Sequence, residues 1–132
     1  MPNVLGRPLK IAHRGGTGLW PENTMGAFDR AIADGAEGIE LDVHLSKDGV
    51  PVVHHDEALK PAIARRPDGT WLAKPTPLIK DLTFEELQAY DIGRLRPGAG
   101  YSARYPDQTP LDGERIPSLE AVIDLVKAKG GS

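Results

Sequence analysis

The sequence predicts an α/β fold, and two observations carry that prediction. Residues 38–56 hold two apolar-polar alternating runs on either side of Lys47-Asp48-Gly49-Val50. Asp-Gly between alternating runs is a strong hairpin signal, because the central turn residues must accept positive φ. Upstream, a short apolar stretch and an amphipathic helical stretch precede the first hairpin strand. Strand, helix and strand in that order imply a βαβ unit, with two parallel strands and a right-handed crossover.

Taken in order, Leu9-Lys10-Ile11-Ala12-His13 reads as a brief buried strand that runs into Arg14-Gly15-Gly16. His13 and Arg14 therefore fall where strand becomes loop. Neither G-x-G-x-x-G nor G-x-x-x-x-G-K-[ST] is present, which excludes the dinucleotide and P-loop readings. A helix begins near Thr24, capped by Asn23 or Thr24, with Phe28, Ala31 and Ile32 as its apolar stripe and Gly35 as its C′ stop. In the first hairpin run Ile39, Leu41, Val43 and Leu45 point one way, and Glu40, Asp42 and His44 the other. With Asp48-Gly49 as a two-residue loop, Lys47 faces Val50 and Asp42 lies opposite His55. That register gathers Glu40, Asp42 and His55 on one face. The plain alternative is a hairpin with one solvated side.

From residue 57 to about 115 proline and glycine recur and interrupt both periods, so this stretch reads as loop or small insertion. Inside it Thr83-Phe84-Glu85-Glu86 is a capping box, with Leu82 and Leu87 as hydrophobic staple, and Tyr90-Asp91-Ile92-Gly93 ends the helix. Pro117-Ser118 opens a last helix over 118–129, with Leu119, Val122, Ile123 and Val126 at core-facing spacing and Gly130 as its stop.

The chain has 132 residues, enough for one modest core. Sixteen Lys+Arg against 19 Asp+Glu give a formal charge of −3, so neither a nucleic-acid nor an anionic-membrane footprint is expected. Without cysteine, disulfides, thiolate metal sites and a Cys nucleophile are excluded. The first residues lack the apolar core of a secretory signal and no run approaches transmembrane length, which reads as a soluble, cytoplasmic protein.

In order, His13-Arg14-Gly15, Pro21-Glu22-Asn23-Thr24, Gly38-Ile39-Glu40-Leu41-Asp42-Val43, Asp48-Gly49 and Val53-His54-His55-Asp56 resemble the glycerophosphodiester phosphodiesterases. Leu82-Thr83 and Ile116-Pro117-Ser118-Leu119-Glu120 extend the likeness, which covers roughly residues 9–127. The resemblance implies a (β/α)8 TIM barrel of the phospholipase-C-like phosphodiesterases, with a small insertion after the hairpin. Core motifs then occupy 9–56, the insertion-like segment about 57–115, and the closing helix 118–129. Such a barrel needs about 250 residues, so only its N-terminal half is expected here.

The resemblance further implies that His13 and His55 act as general acid and base, and that Glu40 and Asp42 are metal ligands. Arg14 becomes a phosphate contact. Imidazole suits proton transfer near neutrality, and two carboxylates suit Mg²⁺ or Ca²⁺. The family's further metal-binding Glu would lie on a later strand and has no counterpart here. Glu22 and Asn23 are expected to order the loop behind His13, His44 to be solvated or peripheral, and His54 to pack. The implied reaction is metal-dependent hydrolysis of a small glycerophosphodiester to an alcohol and glycerol 3-phosphate. Two rivals stand beside it. One is a phospholipase-like phosphodiesterase of the same barrel type. The other is a catalytically silent half-barrel that self-associates through its open edges.

Overall fold

The computed structural model describes residues 9–129. The leader-free reading of residues 1–8 and the Gly130 helix stop lie outside the described residues.

Strand β1 (Ile11–His13) pairs in parallel with β2 (Gly38–Glu40), setting Ile11 opposite Gly38 and His13 opposite Glu40. Helix α1 (Met25–Ala33) joins them, as the βαβ pattern requires. Thr24 caps it, its hydroxyl accepting from the Ala27 N–H at 3.1 Å. At the other end Gly35 takes φ 94. Its N–H donates to Ile32 and the Ala36 N–H to Ala31, the paired closure that a left-handed C′ glycine allows. Phe28 is wholly buried, so the apolar stripe of α1 does face a core. The β1 strand, by contrast, is not buried: Ile11 is 54% exposed. Among the described residues β1 has one strand neighbour, which leaves its other edge and part of its faces open.

The hairpin forms, but in another register. Strands β3 (Val43–Leu45) and β4 (Pro51–Val53) pair antiparallel with Val43 opposite Val53 and Leu45 opposite Pro51. The loop is therefore three residues, 47–49, closed by the Ser46 N–H to the Val50 carbonyl at 3.0 Å. Gly49 alone takes the left-handed conformation, φ 79, as in a turn followed by a glycine bulge. Asp48 is occupied otherwise, hydrogen-bonded to the Ser46 hydroxyl and accepting from the Phe84 N–H. The one-residue shift puts His54, not His55, opposite Asp42, with the His54 N–H donating to the Asp42 carbonyl at 3.0 Å.

The long first run is also split at Leu41-Asp42 into β2 and β3. Ile39 and Leu41 pack on the cluster of Phe28, Val53 and Val122. Val43 and Leu45 remain exposed instead of joining them.

Residues 57–115 contain a 3₁₀ turn (Ile79–Asp81) and two short helices, α2 (Phe84–Leu87) and α3 (Gly100–Ala103). The Thr83–Glu86 capping box is present in both directions, although α2 ends one turn later, before Tyr90. Irregular backbone does not mean loose packing here. Leu59, Ala64, Leu72, Ile79, Leu87 and Ile92 close with Val52 and Ile116 into the larger of the two cores.

Helix α4 (Leu119–Ala128) is capped by Ser118 and leans on α1, where Lys129 Nζ meets Asp29 at 3.1 Å. Val122 is buried, but Ile123 is 43% exposed. Its side lines an open cleft of about 600 Å³ between α1, β2 and α4, so core-facing spacing there faces no core. Among the described residues no helix is long and apolar enough to cross a membrane.

Candidate active site

The parallel ladder builds the site first. Pairing His13 with Glu40 brings their side chains together, with His13 Nε2 3.6 Å from Glu40 Oε2. Past His13 the chain turns sharply. Arg14 takes φ 51, an uncommon conformation for a non-glycine residue that costs of order 1–3 kcal/mol unless the surroundings hold it. They do hold it: the Arg14 N–H donates to Glu40 Oε2 at 3.1 Å. Gly15 follows at φ 82, where an added Cβ would come within 2.9 Å of the Phe28 ring. The turn is thus pressed against α1.

Turned inward, the Arg14 guanidinium meets carboxylates. Its Nη1 donates to Glu22 Oε2 at 3.3 Å, and its Nε lies 3.9 Å from Asp42 Oδ2. Burial disfavours the Arg14 charge, but Glu22, Tyr101 and Asp42 together raise its pKa above the ordinary value. Asn23, also left-handed at φ 55, donates its N–H to the Arg14 carbonyl at 2.8 Å and its Nδ2 to Asp42 Oδ2 at 3.4 Å. Glu22 and Asn23 order this loop, as expected of them.

His55 stands apart from that group. The direct cross-strand contact with Asp42 that a two-residue loop would give is not formed. Among the described residues no hydrogen bond or ion pair joins His55 to Glu40 or Asp42. Its Nδ1 instead contacts Asp56 Oδ1 at 2.6 Å. Burial opposes the Asp56 charge, yet this hydrogen bond and the nearby Lys60 hold its pKa below the usual carboxylate range. His44 reaches the His55 carbonyl through Nε2 at 3.0 Å, a supporting contact. His54 is buried with its Nε2 unpartnered, and burial lowers its pKa to about 4. It packs, as strand alternation suggested.

Glu40 and Asp42 offer two hard oxygen donors, both partly exposed. Among the described residues no three His, Cys, Asp or Glu side chains converge to hold a metal ion. The donor chemistry of the two carboxylates fits a hard divalent cation.

Tyr101 was not among the residues singled out by sequence. It reaches the site from α3, where its hydroxyl donates to Glu22 Oε1 and accepts from Arg14 Nη1 at 3.2 Å. No periodicity signals it, because it is one aromatic in a Gly/Pro-rich stretch.

The model of the Glycerophosphoryl diester phosphodiesterase family matches residues 13–131. The chain belongs to that family. A glycerophosphodiester phosphodiesterase of Caldanaerobacter subterraneus subsp. tengcongensis is 41% identical over 93% of this chain, which covers 42% of that protein. Glycerophosphodiester phosphodiesterase 1 of Mus musculus is 39% identical over 92% of the chain and is covered to 31%. Among solved structures, one from Silicibacter pomeroyi DSS-3 bearing the glycerophosphoryl diester phosphodiesterase name superposes with TM-score 0.90. It is 38% identical and matches 95% of this chain and 43% of its own. An Oleispira antarctica phosphodiesterase in complex with the product sn-glycerol-3-phosphate gives TM-score 0.67 at 32% identity, over 95% of this chain and 42% of its own. These neighbours are (β/α)8 barrels, and this chain corresponds to a partial, half-barrel portion of them. It spans about two-fifths of the length of the bacterial relative and of both solved structures.

Proposed function

We propose that this chain supplies half of the active site of a phosphodiesterase that hydrolyses glycerophosphodiesters to an alcohol and glycerol 3-phosphate. The observation that carries the reading is the Arg14 cluster. A strand-end imidazole, a guanidinium and the carboxylates Glu40 and Asp42 meet at one end of the parallel ladder. The product bound in the Oleispira antarctica relative suits such a site.

In this reading Arg14 receives phosphate oxygens, and Glu40 and Asp42 hold Mg²⁺ or Ca²⁺. A bound cation would offset the negative charge of the phosphodiester. His13 and His55 divide the proton work, one taking a proton from the attacking oxygen and the other giving one to the leaving alkoxide. Asp56 at His55 Nδ1 favours the tautomer that leaves Nε2 free for that transfer. The proposed domain division follows, with the chemistry in 9–56, the insertion in 57–115 and the closing helix in 118–129.

The test is glycerol 3-phosphate release from glycerophosphocholine by the purified chain, alone and with the rest of a relative's barrel supplied, with Mg²⁺, Ca²⁺ or EDTA. We expect release with a metal and none with EDTA, and a loss of at least about 100-fold in His13→Ala or Glu40→Ala. A folded chain that stays silent under every ion even with the rest of a relative's barrel supplied would overturn the reading. One set of observations favours a second reading, a self-associating piece whose site needs another copy or segment. Ile11, Val43 and Leu45 are exposed apolar residues on or beside unpaired strand edges.

A further inference from the structure

The loop that carries Arg14 is fastened to the insertion at three points. The Thr109 N–H donates to the Leu19 carbonyl at 2.8 Å, and Gln108 Nε2 to the Thr17 carbonyl at 2.7 Å. Both hold the loop's path. The third fastening is of another kind, because the Tyr101 hydroxyl reaches the Glu22 carboxylate that itself holds Arg14.

Glu22 is 3% exposed, so solvent does not orient it. Its side-chain partners are the Arg14 guanidinium and the Tyr101 hydroxyl, which come from opposite sides of an 87-residue separation. A buried carboxylate held by donors from two segments is fixed as neither alone would fix it. The tyrosine is itself held. Lys60 Nζ sits 3.5 Å from its ring centroid, and Tyr105 packs edge-on at 5.3 Å between centroids. Burial foremost, and then the bond to Glu22, push the phenol's pKa up, so it keeps the proton it donates.

We propose that Tyr101 is a positioning residue for Arg14: its hydroxyl holds the Glu22 carboxylate and the Arg14 guanidinium in one arrangement, so that the insertion sets where Arg14 meets a phosphate. This deepens the phosphodiesterase reading and rests on it for the identity of the anion. The bland alternative is that Tyr101 only fills space, in which case phenylalanine would serve equally.

The test uses the full chain labelled with ¹⁵N, following the Arg14 guanidinium signal by NMR and titrating with inorganic phosphate. In Tyr101→Phe, with its backbone amide spectrum retained, the Arg14 Nε–H signal should shift and exchange faster with water. Phosphate binding should weaken roughly three- to tenfold, the net scale of one ordinary hydrogen bond. Tyr105→Phe, which keeps Tyr101 and Glu22 in place, should match the unmodified chain. Lys60→Met, which removes a group that holds the Tyr101 ring, should move the Arg14 signal in the same direction, and carries the test if Tyr101→Phe fails to fold. An Arg14 signal unchanged in Tyr101→Phe, or changed equally in Tyr105→Phe, overturns the proposal. A signal that moves while Arg14→Ala leaves phosphate affinity unaltered keeps the positioning role and removes the phosphate assignment instead.

Discussion

The insertion and the barrel strands have opposite characters. In residues 57–115 little backbone is regular, yet Leu59, Ile79, Leu87 and Ile92 are essentially free of solvent. The strands are regular, yet Ile11, Val43 and Leu45 are 54%, 43% and 58% exposed. Regularity comes from local pairing and capping, whereas burial comes from neighbours. The insertion has its neighbours within the described chain. The strands carry apolar residues that little among the described residues covers.

Breaking the closed side should show the largest effect. Leu59→Ala or Ile92→Ala deletes a side chain from a filled cluster, at a cost of about 2–5 kcal/mol of unfolding free energy. Urea titration reads it directly. A loss below about 1 kcal/mol at both positions would mean that the cluster is not a core.

Next in size is a pH effect at the end of β4, where the two regions meet. His54 is buried neutral, with its pKa lowered to about 4, burial being the main cause. Asp56 pulls the other way, and His44, His55 and Lys60 add to the lowering. The unfolded chain binds a proton at this group near pH 6.5 and the folded chain only near 4, so the unfolded state gains protons first as pH falls. Stability should therefore be full above pH 6.5, decline between 6.5 and 4, and stay lowered below that. The whole step is on the order of 3 kcal/mol. A His54→Gln chain that folds should lose most of that slope. An equal slope with and without His54 would assign the dependence to other groups.

The same contrast explains what could be read in advance. The βαβ unit, the Thr24 and Ser118 caps and the capping box at Thr83 were legible, because each is written in residues next to one another. The parallel pairing of β1 with β2 followed from the βαβ unit, but the register that sets His13 opposite Glu40 did not. The hairpin register was not legible, since it turned on Asp48 being held by Ser46 and Phe84, a tie that spans 36 residues to Phe84. The buried reading of Ile11 and the core-facing reading of Ile123 fail for a related reason. Alternation says which side chains share a face, and says nothing of whether anything covers that face. Tyr101 shows the limit most clearly. Its role depends on Glu22 and Arg14, both remote in the chain, and it leaves no local mark.

The smallest expected effect is on the open side, and it sharpens the comparison most. Leu45→Ala and Ile11→Ala remove side chains that are already mostly hydrated, so each should change unfolding free energy by no more than about 0.5 kcal/mol at low concentration. If these edges instead pair with a second copy, stability must depend on concentration, because association adds to the folded state only when partners are present. Sedimentation equilibrium of the chain beside Ile11→Lys and Leu45→Lys separates the cases. Self-association weakened by either lysine would mark the strand face as an interface, since a buried unpaired charge opposes it. A monomer at every concentration, with the alanine variants still near neutral, would mean that the open face stays in water. The two buried clusters would then hold the fold by themselves.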